Sequence, residues 1–238
     1  MGSSSSKSAE VPVVLDQHAE DVLESLKRFD TVLVVDDSAS MSGSRWKQAG
    51  KALATLAAVA AKYDTDGLEI QFLNSPESRV GIVDPEAVKA LFKAVRPEGA
   101  TPLGTKLRAL LTGYLARLDA ERAGKKTTKP VNFIVITDGV PTDGAATEEA
   151  ILHAAQALDR RNARVAQVGV QFVQIGDDEG ATAYLQRLDD ELTKQGVRDM
   201  VDTTLPEKGQ ELDLVKILIG AVNRRVDNNL KGSRALVA

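Results

Sequence analysis

Oxygen-bearing side chains follow two apolar runs in this chain. Asp36, Ser38 and Ser40 come after TVLVV at 31–35, and Asp138 comes after VNFIVI at 131–136. Thr101 stands between them in the segment GATPLG. Two carboxylates and three hydroxyls form an all-oxygen donor set. Hard divalent cations take such ligands, so the set suits magnesium or manganese, with calcium ranked below them.

The balance of charge in that set has a consequence. Three of the five donors are neutral, so two carboxylates leave a bound cation with residual positive character, most of all where one acts through water. An acidic side chain from a partner then has a coordination position to fill. The chemistry points to a docking site for Asp or Glu rather than a buried structural ion. Asp37 reads as a loop carboxylate outside the ligand set. Asp143 in PTDG reads as a turn residue, or at best one that raises the negative potential near the ion. Met41 and Trp46 read as packing residues, and His18 and His153 fall on different helices.

Something must bring these distant residues together. TVLVV and VNFIVI are apolar throughout, as strands are when helices cover both faces of a parallel sheet. LEIQFL at 68–73 alternates, as a strand with one wetter face does. Val80 to Val83 suit a short edge strand, VGVQFVQI at 168–175 another strand, and MVDTT at 200–204 a last short one. Helical spacing links Trp46, Ala49, Leu53, Leu56 and Ala60 after Ser44, and Val88, Leu91, Phe92 and Val95 after Asp84-Pro85. A further helix starts at Pro102 with Leu103, Leu107, Leu110, Tyr114 and Leu118 on its stripe, and 120–129 reads as a loop. Helices are also expected over 147–161 (with Thr147 or a neighbour as cap), 179–195 and 211–229.

Strand and helix alternate throughout, which implies an α/β fold: a doubly wound, mostly parallel sheet with helices on both faces. In such sheets ligands bind beyond the carboxyl ends of the strands. Asp36 and Asp138 both follow strands there, and Thr101 precedes a helix, so the five donors are expected to converge. The domain is placed at 30–230. Before it come a disordered segment, 1–10, and an amphipathic helix over 11–29; after it comes a tail, 231–238.

Composition removes several function classes. The chain has 238 residues, 4% of them aromatic, and a net charge of −4. Exposed rings and basic runs are what single strands and duplexes need, so nucleic acid is not expected as a partner. With no cysteine there is no disulfide, iron–sulfur cluster or thiolate zinc site. No apolar run approaches the roughly 20 residues of a membrane span, and no secretory leader follows Met1. The expectation is an intracellular protein without membrane insertion.

The motif VVDDSASMSGSRW, then GATPLGTKL, then FIVITDGVPTD, resembles the von Willebrand factor A domain with an intact metal-ion-dependent adhesion site (MIDAS). The likeness extends over about 30–227, and QFVQIG, LDDEL, RDMVDT and GAVNRRVD are similar to fungal intracellular proteins carrying this domain. The resemblance implies a Rossmann-like fold, a metal held by Asp36, Ser38, Ser40, Thr101 and Asp138, and metal-dependent binding of a protein through its Asp or Glu. It also implies a last helix that can shift with the state of the site. Ala39 stands where many members have Gly, which narrows backbone freedom without removing a ligand.

The leading expectation is therefore a binding module and not an enzyme. The rival is phosphoryl transfer through Asp138, since VLVVDDS and TDGVPTDG resemble the acidic loops of receiver domains. The two acidic motifs stand too far apart in sequence for that compact fold. A haloacid-dehalogenase-type hydrolase would need a carboxylate where Ser38 stands. A third reading is a structural subunit with a vestigial site.

Overall fold

The computed structural model describes residues 24–63, 66–124, 127–194, 196–206, 212, 214, 217 and 218. Among the described residues six strands form one sheet: β1 (Asp30–Val35), β2 (Leu68–Phe72), β3 (Ser78–Ile82), β4 (Val131–Thr137), β5 (Val168–Gln174) and β6 (Val201–Thr204). Their spatial order is β3-β2-β1-β4-β5-β6. All neighbours are parallel except β2 and β3, which pair antiparallel at the edge. Helices whose bounds lie among the described residues accompany the sheet: α1 (Ser44–Tyr63), α2 (Pro85–Ala94), α3 (Leu103–Arg122), α4 (Gly144–Arg160) and α5 (Glu179–Lys194).

Period-two alternation in the central strands creates two cores. Leu33 and Val35 of β1, with Ile134 and Ile136 of β4, face the cluster containing α1 and α2 residues such as Leu53, Leu56 and Val88. Val32 and Val34, with Phe133 and Val135, face Leu107, Leu111, Ile151 and Leu185 of the other helices. Successive strand side chains point to opposite faces. Both faces are covered, so β4 and β5 are buried at every position.

The winding reverses at β1. From β1 the chain crosses to β2 on one side; after β3 it returns to β4 on the other side. A crevice opens where two such neighbouring connections diverge. Asp36 and Asp138 directly follow the two strands that border it.

Local chemistry sets the helix ends. Asp84 caps α2, its carboxylate accepting from the Glu86 amide at 2.9 Å, with Pro85 in the first turn. The helix expected from 147 begins at Gly144, one turn earlier, and Thr147 is buried inside it rather than capping it. Asp143 precedes this helix, yet its carboxylate serves another one. It accepts from the Gly104 amide at 2.9 Å, the Thr105 amide at 2.8 Å and the Thr105 hydroxyl at 2.9 Å. The amides at the start of α3, which have no partner within their own helix, thus find an acceptor from α4's approach. α3 runs to Arg122, into the stretch read as a loop.

Of the N-terminal helix expected over 11–29, residues 24–29 are described, and they include a 3-10 turn, Ser25–Arg28. Residues 1–10 and the tail 231–238 lie outside the described residues, as does most of the helix expected over 211–229. Within that helix Leu214 and Leu218 are buried in the α1-side core, and Leu212 and Ile217 pack against it. Among the described residues no helix is long and apolar enough to cross a membrane.

Two substitutions test this framework. A Cβ on Gly104 would lie 2.6 Å from the Ala146 carbonyl carbon and press on the Thr147 amide nitrogen. Backbone cannot yield there without parting α3 from α4, so Gly104→Ala should destabilise by about 1–3 kcal/mol. Urea unfolding should show a lower midpoint with an unchanged slope. Asp143→Ala should cost about 1–2 kcal/mol in the same experiment, as losses of helix-capping carboxylates do. A midpoint equal to the parent's would contradict the clamp.

Candidate metal-binding site

The loop after β1 divides its two aspartates between different tasks. Asp36 and Asp37 are both buried. One oxygen of Asp36 accepts from the Ser38 amide at 2.9 Å, closing a short turn, and the other accepts from the Thr137 hydroxyl at 2.6 Å. Thr137 is the last residue of β4, so this bond joins the two strand ends. The Asp36 amide extends the same ladder by donating to the Ile136 carbonyl at 2.8 Å. Asp37 points the other way. Its carboxylate accepts from the Asn74 amide and the Ser75 amide, each at 2.8 Å, and from the Asn74 side-chain nitrogen at 3.2 Å. It anchors the loop after β2.

Beyond Asp37 the chain makes one 3-10 turn, Ala39–Met41, pinned by the fully buried Met41. The turn carries the two serines to the rim. The Ser38 and Ser40 hydroxyl oxygens are 3.0 Å apart, and the Ser40 hydroxyl donates to one Asp138 oxygen at 2.8 Å. Asp36, Ser38, Ser40 and Asp138 therefore form one continuous hydrogen-bonded chain across the ends of β1 and β4.

Thr101 reaches this rim through its backbone. Its carbonyl accepts from the Thr142 amide at 3.0 Å and the Leu103 amide at 2.9 Å. The residues before it are laced to the first loop: the Ala39 amide donates to the Gly99 carbonyl at 3.1 Å, and the Glu98 amide to the Asp37 carbonyl at 2.8 Å. The Asn74 side chain adds a bond to the Ala100 carbonyl at 2.9 Å. Thr101 is buried between the loops that carry Asp36 and Asp138.

Sequence reasoning passed over two residues at this rim. Thr137 was hidden inside a strand, although its position one residue before Asp138 makes it the natural neighbour of the adjacent strand end. Arg45 stands in the first turn of α1 and donates to the second Asp138 oxygen at 2.7 Å and to the Ser40 carbonyl at 3.2 Å. Its basic character so close to the serine loop was the available signal. Trp46, beside it, turns inward against Phe72 and Phe92, and its ring nitrogen donates to the Phe92 carbonyl at 3.1 Å. It packs, as expected.

The electrostatics of the two rim carboxylates differ. Asp138 has Arg45 as its ionic partner. Among the described residues no Lys or Arg pairs with Asp36. Burial therefore pushes the Asp36 carboxyl above the ordinary aspartate value, against the bonds from Thr137 and Ser38, and the nearby Asp138 charge pushes it the same way. A carboxylate removed from water without a cation is under-compensated. Among the described residues no three His, Cys, Asp or Glu side chains cluster as a metal site. The donors here are instead hydroxyls around two carboxylates, and they fit a hard divalent ion rather than zinc.

The von Willebrand factor type A domain model matches residues 30–194. Among curated proteins none matches. A solved structure, manganese-loaded Plasmodium vivax TRAP protein, is similar in fold, with a TM-score of 0.51 at 20% identity, over 81% of this chain and 74% of that one. The matched span takes in every strand from β1 to β5 and the loops that carry the five oxygen donors. On that match, the chain belongs to the von Willebrand factor type A domain family.

Proposed function

We propose that this chain is a protein-binding module, not an enzyme. In it Asp36, Ser38, Ser40, Thr101 and Asp138 surround magnesium or manganese as a MIDAS. The observation that carries the reading is the unbroken chain from Asp36 through Ser38 and Ser40 to Asp138. It collects four of the five donors at the crevice where the sheet reverses. The buried Asp36, without a basic partner among the described residues, gives a cation a reason to bind there. The likeness to a manganese-loaded protein is consistent with the choice of ion.

When bound, the cation supplies a coordination position for the Asp or Glu of a protein partner. The chain's own residues do the remainder. Thr137 and the Ser38 amide hold Asp36 in one orientation. The buried Met41 and the Gly99 carbonyl fix the serine turn. The Asp37 and Asp143 carboxylates hold the surrounding loops, so the donors are organised before any ligand arrives. Phosphoryl transfer through Asp138 is less well supported, because the family match is to a von Willebrand factor type A domain and Ser38 stands where a hydrolase of the rival type would need a second carboxylate.

Two measurements test the proposal. Magnesium or manganese should raise the melting temperature, as any ligand selective for the native state does, and the rise should vanish in Asp36→Ala and Asp138→Ala. An unchanged rise in both variants would remove the metal from the site. Thr101→Ala should reduce cation-dependent capture of a partner by at least about tenfold, or about 1.4 kcal/mol, while shifting the melting temperature only slightly. Equal losses in both would mean that Thr101 serves the fold alone. Capture that survives excess chelator would defeat the module reading.

A further inference from the structure

We propose that Arg45 is the resident counter-cation of this site, and that a divalent ion displaces it from Asp138. The inference rests on the metal-binding reading above and adds a built-in competitor to it. The Asp138 side chain is only 1% exposed, and its second oxygen is held by the Arg45 guanidinium at 2.7 Å. Arg45 holds one lone-pair direction of that oxygen and sets a positive charge beside it, so a divalent ion approaching Asp138 meets a like-charged competitor. Arg45 itself is 36% exposed, so its guanidinium has a path to solvent once released.

Two features indicate that the arginine is placed for Asp138 rather than for its own helix. Arg45 sits in the first turn of α1, where the aligned peptide dipoles disfavour positive charge. No acidic residue in that turn compensates it. The guanidinium also lies directly over Gly176, which follows β5: a Cβ there would stand 3.0 Å from Nε and 3.3 Å from Nη2. Gly176 thus provides the floor, the Ser40 carbonyl a side contact, and Asp138 the charge. Arginine and divalent ion have the same sign and claim the same carboxylate, so each weakens the other. Binding of the ion exchanges a closed Arg45–Asp138 pair for a freed guanidinium beside the cation.

Isothermal titration with magnesium chloride and manganese chloride at low ionic strength tests the exchange in the parent chain, Arg45→Gln, Arg45→Lys and Asp36→Ala. Arg45→Gln should bind the ions about twofold to fivefold more tightly, the range expected for losing a part-exposed ionic competitor. Arg45→Lys, which keeps the charge, should fall between the parent and Arg45→Gln. In chelator, Arg45→Gln should melt below the parent, and saturating ion should close that gap. The Arg45 Nε–H resonance of the parent should move during the titration. Equal or weaker affinity in Arg45→Gln, or a resonance unmoved at saturation, overturns the exchange. If the parent binds ions and Asp36→Ala does not, either of those results sinks the exchange alone. If neither the parent nor Arg45→Gln binds ions, the metal reading falls and the exchange with it.

Discussion

Three aspartates are buried at the carboxyl ends of two adjacent parallel strands, and the loops around them are arranged to make that burial tolerable. A charge taken from water must be met by donors, by a counter-charge or by a metal. Each aspartate meets the requirement differently. Asp37 is surrounded by amides from the loop after β2. Asp138 has a hydroxyl and a guanidinium. Asp36 has one hydroxyl and one amide, and it keeps the raised proton affinity of a carboxylate short of positive charge.

The surrounding architecture follows from holding those groups in place. Several of the contacts that join the loops at the crevice run through an aspartate. Asp37 ties the first loop to the segment after β2, whose Asn74 reaches on to Ala100. Asp143 ties α4's approach to the first turn of α3. The close passage of α3 and α4 at Gly104 makes that clamp short enough to work. Rigid strands end at the rim, while the polar side chains of the candidate site are carried just past them. This division is common in α/β sheets.

The aliphatic core supports the same arrangement. With few aromatic residues, the sheet is covered by Leu, Ile, Val and Ala packed in two layers. Phe72, Phe92 and Trp46 form one aromatic group under the start of α1, with ring centroids 4.4–5.9 Å apart. That group steadies the helix turn from which Arg45 projects toward Asp138. Packing on one side of α1 and charge on the other thus reach the site from consecutive residues.

Hydrophobic patterning by itself determined the α/β class, the parallel centre and the edge position of β3, because strand and helix periods are written in local apolar spacing. It also indicated the rim, since Asp36 and Asp138 each follow an apolar strand, and parallel strands end on one side. Helix limits were less legible. Thr147 had the chemistry of a cap, but the interior demanded it, and Asp143 answered a neighbouring helix instead of its own. Only the tertiary structure decided which oxygen met which hydrogen. Thr137 faces Asp36, Asp37 turns away, and Arg45 claims the far oxygen of Asp138, because strand register and the crossing of helices set those distances. Nothing in local spacing encodes pairings between residues this far apart along the chain.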